Sequence, residues 1–305
     1  MRMEQLEYLI EISKHKSLNS ASRALHLTPQ ALSMSIKQLE GELGYPVLYR
    51  SAVGATLTPQ GRATAIQALN FLGRLRAIRE SGAEASKPAP YAQAMPLMMP
   101  AGSAESYIPA FQAMLYKIAP KWQLDIVEAG YEQIIKSVLE GRVEIAITAQ
   151  LTIDGCDALD DLPPQLQFVP FLHYRCFCYA SHQFPIARYK SITLKSMLEY
   201  PIVLFEPARY IYGRIIEAVC PLSQAQIIWV TKSSMINEFI KNAICLSFAL
   251  INENDHQFLV DMPPGTAITL KENILIHYGY LINTQKPLSP AAQTLADYLL
   301  IFYNQ

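Results

Sequence analysis

A short polar stripe within the first fifty residues could contact the edges of nucleic-acid bases. Its four members recur at helical spacing and are Gln30, Ser33, Met34 and Lys37. An amide can bond adenine through both of its groups, a hydroxyl can donate or accept, and a methionine offers apolar contact to a thymine methyl. An ammonium is better suited to a backbone phosphate. These residue types therefore predict a surface that reads base pairs in a major groove.

Residues on either side of the polar stripe could bind phosphate. Thr28 can cap the helix that carries the stripe, and Pro29 loses nothing at a first helical position, where its missing N–H is not needed. Arg50 stands beside a predicted wing, next to Ser51. Phosphate contacts from such positions add affinity but do not discriminate between base sequences. Thr28, Pro29, Arg50 and Ser51 complete the predicted DNA-binding set. Weaker candidates for the same role are Lys14 and Arg23.

The competing interpretation of the polar stripe is an ordinary solvated helix face. Taken singly, Gln30 or Lys37 is better explained in that way. The order of the surrounding elements favours DNA binding. A capped helix, a buried stripe, a polar outer stripe and a basic wing flank follow one another as a helix-turn-helix requires.

Three short helices and a hairpin are predicted to position the polar stripe. Residues 4–13 combine apolar and acidic side chains at a helical period, and Ser17 can cap a second, Ala-rich helix. The third helix carries an apolar stripe at i, i+4, i+7 and i+11, which is Leu32, Ile36, Leu39 and Leu43. Gly44 ends this helix, and two apolar stretches flanking residues 51–54 predict a hairpin or wing.

A long linker helix is predicted to follow the wing, from Pro59 to about Glu84. Its apolar side consists of Ala65, Leu69, Leu72, Leu75 and Ile78. Because the following joint, Ser81 to Pro90, leaves little local core for this side to cover, we expect the helix to pair with a second copy of the chain. A dimeric helix-turn-helix reads half-sites about one helical turn, or a multiple of it, apart, which predicts a partly palindromic operator.

From Met95 onward, short apolar runs alternate with amphipathic stretches. The first five such segments extend to about residue 148 and follow a β-α-β-α-β order. This rhythm is typical of an α/β sheet with helices on its faces. The predicted fold class is therefore α/β with an N-terminal, all-α winged helix-turn-helix.

Composition narrows the class of protein. The chain has 305 residues, of which 51% are apolar and 17% charged, and a formal net charge of -1, so a DNA-binding surface must be local. Five scattered cysteines predict reduced thiols in a cytosol rather than a disulfide framework. The N-terminus lacks the features of a secretory signal, and the longest apolar run, Ala243 to Ile251, is well short of the roughly 20 residues that cross a bilayer. We expect a soluble cytoplasmic protein with no membrane partner.

No arrangement of catalytic or metal-ligating residues emerges from the sequence. The six histidines lack His-Glu-x-x-His spacing, and neither Gly-x-Ser-x-Gly nor Gly-x-Gly-x-x-Gly occurs. Cys176 and Cys178 would share one strand face and are better explained as core. The acidic residues between 154 and 161 lack the alternate spacing of a calcium loop. We expect no enzymatic activity, no cofactor and no metal site.

Closely spaced segments of the first 61 residues match a known pattern. They are the spacing of Ser17, Ala21, Ala24 and Leu25, then Leu27 to Ser33, Ile36, Leu39-Glu40, Leu43-Gly44, Leu48 to Arg50, and Leu57 to Gly61. Together they resemble the helix-turn-helix of LysR-type transcriptional regulators. A weaker similarity continues at Gly141 to Ile147, His182 to Ala187 and Leu288 to Ala292, so it covers nearly the full length. Departures from the family are Met34, the wing residues Ala52, Val53 and Ala55, and the turn at Asn242 to Cys245.

The resemblance to the LysR-type family implies a domain organisation. Residues 1–60 would form the winged helix-turn-helix, 61–91 the dimerisation helix and hinge, and 92–305 a two-lobed, type II periplasmic-binding-protein-like effector domain. Lobe 1 would comprise about 92–170 and 267–305, and lobe 2 about 171–266. The resemblance also implies a homotetramer as a common working form beside the homodimer.

The same resemblance implies an effector held in a cleft between the two lobes. Ligands of open α/β sheets bind beyond the carboxyl ends of strands, where helix N-termini offer free N–H groups. Applied to this sequence, the rule predicts effector contacts at Gly102, Ser103, Thr148, Gln150, Phe205 and Glu206. Capping or local turn hydrogen bonds are the competing explanation for each residue.

The function predicted from the sequence is transcription regulation, with promoter binding modulated by a small-molecule effector. The expected partners are double-stranded DNA, the effector, further copies of the chain and RNA polymerase. One alternative is a two-lobed solute-binding protein or enzyme whose N-terminal segment serves only as an interaction domain. Another is a regulator with a closed effector pocket, motivated by the apolar turn from Ala243 to Leu246.

Overall fold

The computed structural model describes residues 1–15, 17–51, 54–81, 94–100, 123–158, 162–252 and 262–303. The chain divides into two compact units. The first comprises Met1–Met95, Ala110–Asp125 and Leu288–Gln305, and the second comprises Pro96–Pro109 and Ile126–Pro287. The last helix of the chain, predicted within the effector domain, therefore lies in the first unit. The predicted domain boundaries stay predictions.

The first unit contains the predicted helix-turn-helix. Its elements are α1 (Met3–Ser13), α2 (Leu18–Ala24), α3 (Pro29–Leu43), β1 (Leu48–Ser51), β2 (Gly54–Leu57), α4 (Pro59–Ser81) and, at the end of the chain, α9 (Pro290–Tyr303). The predicted helix signals are confirmed: the Ser17 hydroxyl accepts from the backbone N–H of Ser20 at 3.2 Å, and Gly44 ends α3 with φ of 79°. Strands β1 and β2 pair antiparallel as the predicted wing.

A glycine fixes the junction between the wing and α4. A Cβ added at Gly61 would lie 2.0 Å from the carbonyl oxygen of Val47, which is backbone and cannot give way cheaply. Thr58 supports the same junction, because its hydroxyl donates to the Pro46 carbonyl and accepts from the Gly61 N–H, both at 2.8 Å. Helix α4 therefore starts in close contact with the loop before the wing.

The apolar side of α4 is covered by the chain's own helices. Ala65, Leu69 and Leu72 are buried, and α4 packs on α1 and α9. The Tyr298 hydroxyl on α9 donates to the side-chain carbonyl of Asn70 on α4, across 228 residues of sequence. These three residues are thus covered by the far end of the chain, and the pairing of this side with a second copy stays a prediction.

The second unit is built around a sheet of nine described strands. They are β3 (Ala94–Pro100), β4 (Gln123–Ala129), β5 (Ile145–Ile153), β6 (Cys156–Asp157), β7 (Leu166–Ala180), β8 (Ser191–Ile192), β11 (Ser247–Asn252), β12 (Thr266–Leu270) and β13 (Ile274–Asn283). The order is β4-β3-β5-β13-β7-β12-β8, with β11 on β7 and β6 on β5. A two-stranded parallel sheet, β9 (Ile202–Phe205) and β10 (Ile227–Val230), completes the strands. This is the predicted α/β class.

Four described α-helices pack in the second unit: α5 (Tyr131–Glu140), α6 (Leu194–Met197), α7 (Arg209–Glu217) and α8 (Ser233–Lys241). Helix α5 joins an apolar cluster that includes Ala146 of β5 and Leu281 of β13. A second apolar cluster includes Ile240 of α8, Phe177 of β7 and Ala249 of β11. The long strands β7 and β13 thus run between two separate apolar clusters. None of the helices in the described ranges has the length and apolarity of a membrane span.

Candidate functional site

Helix α3 presents the predicted polar stripe to solvent. Gln30 and Lys37 are exposed, Met34 is 65% exposed and Ser33 is half-buried. The opposite side of α3 is fully buried and consists of Leu32, Ile36 and Leu39. Because burial of that side fixes the rotation of the helix about its axis, the four polar-stripe residues share one outward face.

The amino end of α3 has the predicted cap. The Thr28 hydroxyl accepts from the backbone N–H of Ala31 at 3.1 Å, and Pro29 occupies the first helical turn. Thr28 is exposed beside the polar stripe, and its phosphate contact stays a prediction. Ser51 ends β1, but its side chain lies outside the described part of the structure.

Arg50 and Glu40 join the wing to α3 in an arrangement we call the wing brace, formed by Ser33, Glu40 and Arg50. The Arg50 guanidinium donates to the Ser33 hydroxyl at 2.8 Å and to the Glu40 carboxylate at 3.2 Å. The other carboxylate oxygen of Glu40 accepts from the backbone N–H groups of Val47 and Leu48, at 2.9 and 3.2 Å. One half-buried carboxylate thus fixes the wing relative to the polar stripe.

The wing brace changes what Ser33 and Arg50 can do. The Ser33 hydroxyl accepts from Arg50, which leaves its own hydrogen to donate to a base or phosphate. Part of the Arg50 guanidinium is engaged by Glu40, so Arg50 has a positioning role beside its predicted phosphate contact. Sequence reasoning missed Glu40, although Leu39-Glu40 was one of the segments that carried the family resemblance.

Of the weaker phosphate candidates, Lys14 is engaged elsewhere. Its ammonium pairs with Asp297 of α9 at 2.8 Å and with Glu11 at 3.4 Å, and Asp297 is buried. The Lys14 ammonium therefore holds α1 to α9 instead of facing a phosphate, whereas Arg23 is exposed. Residues 1–62 carry seven Lys and Arg side chains against five Glu, a small positive excess in a chain whose net charge is -1.

The predicted effector contacts that the structure describes lie on or after two different strands, β5 and β9. Gly102 and Ser103 lie outside the described residues. Thr148 and Gln150 lie two residues apart on β5 and so share one face of the sheet. Glu206 follows β9, and its carboxylate accepts from Arg209 at 2.8 Å. Within the described ranges, no hydrogen bond or ion pair links Thr148 or Gln150 to Phe205 or Glu206.

Sequence reasoning missed the polar residues that surround Gln150. His277 of β13 lies opposite both Gln150 of β5 and His173 of β7. The Nδ1 atoms of His173 and His277 are 2.7 Å apart, and the His277 Nε2 lies 3.1 Å from the Thr152 hydroxyl. The signal in the sequence was the presence of polar residues, among them Gln150, His173 and His277, inside three mainly apolar strands.

The opposite face of the same strands is aromatic. The rings of Tyr174 and Tyr278 meet edge to face at 5.8 Å, and Tyr212 of α7 stacks on Phe248 at 5.5 Å. Burial raises the pKa of the Tyr212 hydroxyl, and the nearby Tyr278 and Cys176 raise that pKa further. This face therefore holds packed rings with neutral hydroxyl groups.

The cysteines and histidines form no metal site within the described residues, since no group of three or more His, Cys, Asp or Glu side chains there could hold an ion. All five thiols are free. Burial raises the pKa of Cys178 to about 12, and burial followed by the nearby Cys178 raises that of Cys176 well above its ordinary value. Both agree with their prediction as core.

Two family descriptions match the chain. Residues 3–62 match "Bacterial regulatory helix-turn-helix protein, lysR family", and residues 96–301 match "LysR substrate binding domain". Between them they span most of the chain.

Individual relatives are more distant. The regulator CysB of Haemophilus influenzae is 25% identical over 207 residues, which cover 67% of this chain and 61% of the relative. A probable cat1 operon transcriptional activator of Acinetobacter lwoffii is 26% identical over 145 residues, covering 48% of this chain and 47% of the relative. The matched segments thus span less than two thirds of these relatives.

Solved structures agree in fold. A full-length OxyR variant from Pseudomonas aeruginosa has a TM-score of 0.53 at 19% identity, covering 98% of this chain and 99% of that one. HinK, a LysR family transcriptional regulator from the same organism, also has a TM-score of 0.53, at 16% identity, covering 98% of this chain and 97% of that one. At these identities the likeness shows the fold alone.

Proposed function

The chain belongs to the LysR family of bacterial regulatory helix-turn-helix proteins, and from that premise we propose that it is a DNA-binding transcription regulator. Promoter binding would be modulated by a small-molecule effector bound in the second unit. The observation that carries the proposal is the polar stripe, which is exposed on α3, backed by a fully buried apolar side and fixed to a wing by the wing brace.

The DNA contacts we propose divide by chemistry. Gln30, Ser33 and Met34 would contact base edges, because an amide, a hydroxyl and an apolar side chain are groups that discriminate bases in a major groove. The phosphate contacts would come from Thr28, Lys37 and Arg50, and Pro29 and Ser51 would complete the DNA-binding set. The proposed effector contacts remain Gly102, Ser103, Thr148, Gln150, Phe205 and Glu206.

The proposal includes partners and location. The partners are double-stranded DNA with a partly palindromic operator, an effector, RNA polymerase, and further copies of the chain in a homodimer or homotetramer. Because the first part of the α4 apolar side is buried within the chain, the homodimer proposal rests on the family and on exposed surface such as Phe71 of α4, which is 53% exposed. Five free thiols support a cytoplasmic location, and we propose no enzymatic activity.

The test is DNA binding by the full-length protein. Sites selected from a random duplex library would be compared with scrambled duplexes by fluorescence anisotropy, from about 50 to about 200 mM salt. We expect affinity for both to fall with salt and affinity for selected sites to be higher. No binding to any duplex at the lowest salt would overturn the proposal and favour the solute-binding alternative.

Two variants separate base reading from phosphate contact. Gln30→Ala should reduce the preference for selected over scrambled sites by roughly 5- to 150-fold, the effect of one good bidentate base contact. Lys37→Ala should weaken binding to both and reduce the salt slope by about one. Lys232→Ala, an exposed lysine of the second unit, is the control and should change neither. Equal losses on both duplexes for Gln30→Ala would contradict the assignment.

A further inference from the structure

Six polar side chains share one face of the sheet in the second unit, and we call them the polar patch. They are Thr148, Gln150 and Thr152 of β5, His173 and Arg175 of β7, and His277 of β13. The strand register requires this grouping, because directly paired residues of neighbouring strands point to the same face and so do residues two apart on one strand. The register shift between β13 and β7 at Tyr278/Gly279 lies beyond His277, so it leaves the pairing of His277 with His173 intact.

The polar patch lies between two apolar clusters on the same face. Ala146, two residues before Thr148, belongs to the cluster with α5. Phe177, two residues after Arg175, belongs to the cluster with α8. The patch spans three neighbouring strands, so it is about 10 Å wide at the usual strand spacing. An occupant of the patch is therefore a small molecule.

The centre of the patch is held by hydrogen bonds. His277 joins His173 through their Nδ1 atoms at 2.7 Å and joins Thr152 through its Nε2 at 3.1 Å. These contacts link β5, β13 and β7 across the face. Gln150, on the other side of His277, is half-buried beside them.

Arg175 brings a positive charge to this face, and among the described residues it has no ion-pair partner. Its side chain is half-buried, and none of the ion pairs found among the described residues includes it. By contrast, Arg209 pairs with Glu206, and Arg214 donates to the Ala158 carbonyl at 3.1 Å. The neighbouring strand β6 places the acidic residue Asp157 opposite Thr152, where it is exposed. A partly desolvated guanidinium in this setting favours an anion from solution.

Thr148 provides an independent observation. The residue is 1% exposed, and its hydroxyl has no hydrogen-bond partner within the described part of the chain. A buried hydroxyl without a partner destabilises a fold, and such groups call for an explanation such as an absent ligand. By strand alternation this hydroxyl lies on the same face as Gln150.

We propose that the polar patch binds a small oxyanion, a carboxylate or a phosphate-like group, with Arg175 as its counter-charge and Thr148 and Gln150 as hydrogen-bond donors. This inference rests on the proposed function, because it assigns a ligand class to the effector-responsive unit and includes two of the proposed effector contacts. It also adds Arg175, His173 and His277 to the site. These residues lie within strands, so the rule that ligands bind beyond the carboxyl ends of strands does not predict them.

The experiment is calorimetric titration of the full-length protein in an oxyanion-free buffer at constant sodium chloride. Inorganic phosphate, sulfate and succinate are the three probes, so a phosphate-like ligand and a carboxylate are distinguished. We expect one class to bind with one-to-one stoichiometry and to raise the melting temperature in a concentration-dependent way. Binding of none of the three below about 10 mM would overturn the proposal.

The charge variant is Arg175→Gln, which should weaken binding of the preferred anion roughly tenfold or more, as loss of a charge-assisted contact does. The matched control is Arg188→Gln. Arg188 is an exposed arginine of the same unit whose guanidinium lies over the Tyr189 ring. The control should bind as the wild type does. Equal binding by wild type and Arg175→Gln would mean that the anion binds elsewhere, and equal weakening by both variants would indicate a non-specific charge effect; either result would overturn the site.

Thr148→Val separates binding from folding. Without an anion the variant should melt at the same temperature as the wild type or higher, because an unpaired buried hydroxyl has been removed. It should nevertheless bind the preferred anion roughly three- to tenfold more weakly. A lower melting temperature with unchanged anion affinity would mean that the hydroxyl has a structural role only, and would contradict its assignment as a donor.

Failure of the oxyanion site and failure of the regulator proposal are distinguishable. Arg175→Gln should bind selected DNA in the absence of anion as tightly as the wild type, because the patch and the polar stripe belong to different units. Normal DNA binding without anion binding would overturn the oxyanion site alone. Anion binding without any DNA binding would overturn the regulator proposal but not the oxyanion site.

Discussion

The polar stripe and the polar patch use similar chemistry but are assembled over different lengths of chain. All residues of the stripe, its cap and its wing brace lie between Thr28 and Arg50. The patch combines strands that are far apart in sequence: His173 and His277 are separated by 104 positions, and Thr152 and His277 by 125. A surface made by one helix is thus specified locally, whereas a surface made by three strands exists only once their register is set.

The two regions also differ in how their polar groups are satisfied. In the stripe, the Ser33 hydroxyl, the Arg50 guanidinium and the Glu40 carboxylate have partners from the same short segment. In the patch, Thr148 lacks a partner among the described residues. The hydrogen bonds of the wing brace are thus made within the folded chain, whereas the Thr148 hydroxyl of the patch can still take a partner.

The largest effect is expected from disturbing strand register next to the patch. Gly279 lies opposite Thr148, and an added Cβ would lie 2.4 Å from the Val169 carbonyl oxygen and 2.5 Å from a Phe168 ring carbon. Because the nearest atom is backbone, relief requires the β13 and β7 ladder to separate. Gly279→Ala should destabilise the second unit by about 3 kcal/mol, measured by urea unfolding.

The matched substitution in the first unit should act in the opposite direction. A Cβ added at Gly41 in α3 meets nothing within 4 Å. Gly41→Ala should therefore stabilise the first unit by roughly 0.5–1 kcal/mol, because alanine is the better helix former. Equal effects of the two variants would mean that the close approach at Gly279 does not constrain the sheet.

The next prediction concerns the wing brace. Glu40 is 17% exposed at its side chain and accepts three hydrogen bonds, two of them from backbone N–H groups. Glu40→Ala should destabilise the first unit by about 2 kcal/mol and weaken DNA binding, because the wing loses its attachment to α3. The two effects would be measured by urea unfolding and by anisotropy.

Two further variants make the wing-brace experiment specific. Glu40→Gln keeps an acceptor for the backbone groups but loses the ion pair with Arg50. It should therefore lower the free energy of unfolding less than Glu40→Ala does. Glu42→Ala, in the same helix, removes an exposed carboxylate paired with the chain's amino terminus and should have little effect. If Glu42→Ala lowered the free energy of unfolding as much as Glu40→Ala, the hydrogen bonds of the wing brace would not explain the effect of Glu40→Ala.

Sequence reasoning succeeded where the signal was local. The Thr28 cap, the Gly44 stop, the buried side of α3 and the wing hairpin were all predicted and are confirmed. The alternation of strands and helices likewise predicted the α/β class of the second unit. Each of these depends on residues within about one element of one another, which is the range over which capping, periodicity and turn chemistry act.

The rest depended on long-range contacts. The apolar side of α4 was interpreted as a surface that pairs with a second copy of the chain. The helix that covers its first part, α9, could not be foreseen because it lies at the far end of the chain, where Asp297 and Tyr298 meet Lys14 and Asn70. The polar patch was missed for the same reason. A single histidine in an apolar strand is usually core, and only the register of β5, β13 and β7 shows that His173 and His277 meet.

The last prediction concerns the thiols, which distinguish the two units. All five cysteines lie in the second unit, and burial raises the pKa of Cys178 to about 12 and that of Cys176 well above its ordinary value. In the unfolded chain these thiols ionise near their ordinary pKa, so above that pH the unfolded state gives up protons that the folded state keeps. Stability is therefore fully present below about pH 9 and is lost as pH rises toward 12, by about 1.4 kcal/mol per pH unit for each such thiol.

Replacement of both thiols isolates this contribution from every other group that titrates at alkaline pH. The double variant Cys176→Val and Cys178→Val should lose less stability than the wild type between about pH 9 and about pH 10.5, measured as the difference in urea midpoints. At pH 8 a thiol reagent should label the exposed Cys156 in the native protein and reach Cys176 and Cys178 only on unfolding. Parallel alkaline losses in wild type and double variant, or rapid native labelling of Cys178, would mean that the aromatic side of the sheet is open to solvent. The aromatic face and the polar patch would then no longer differ in their exposure to water.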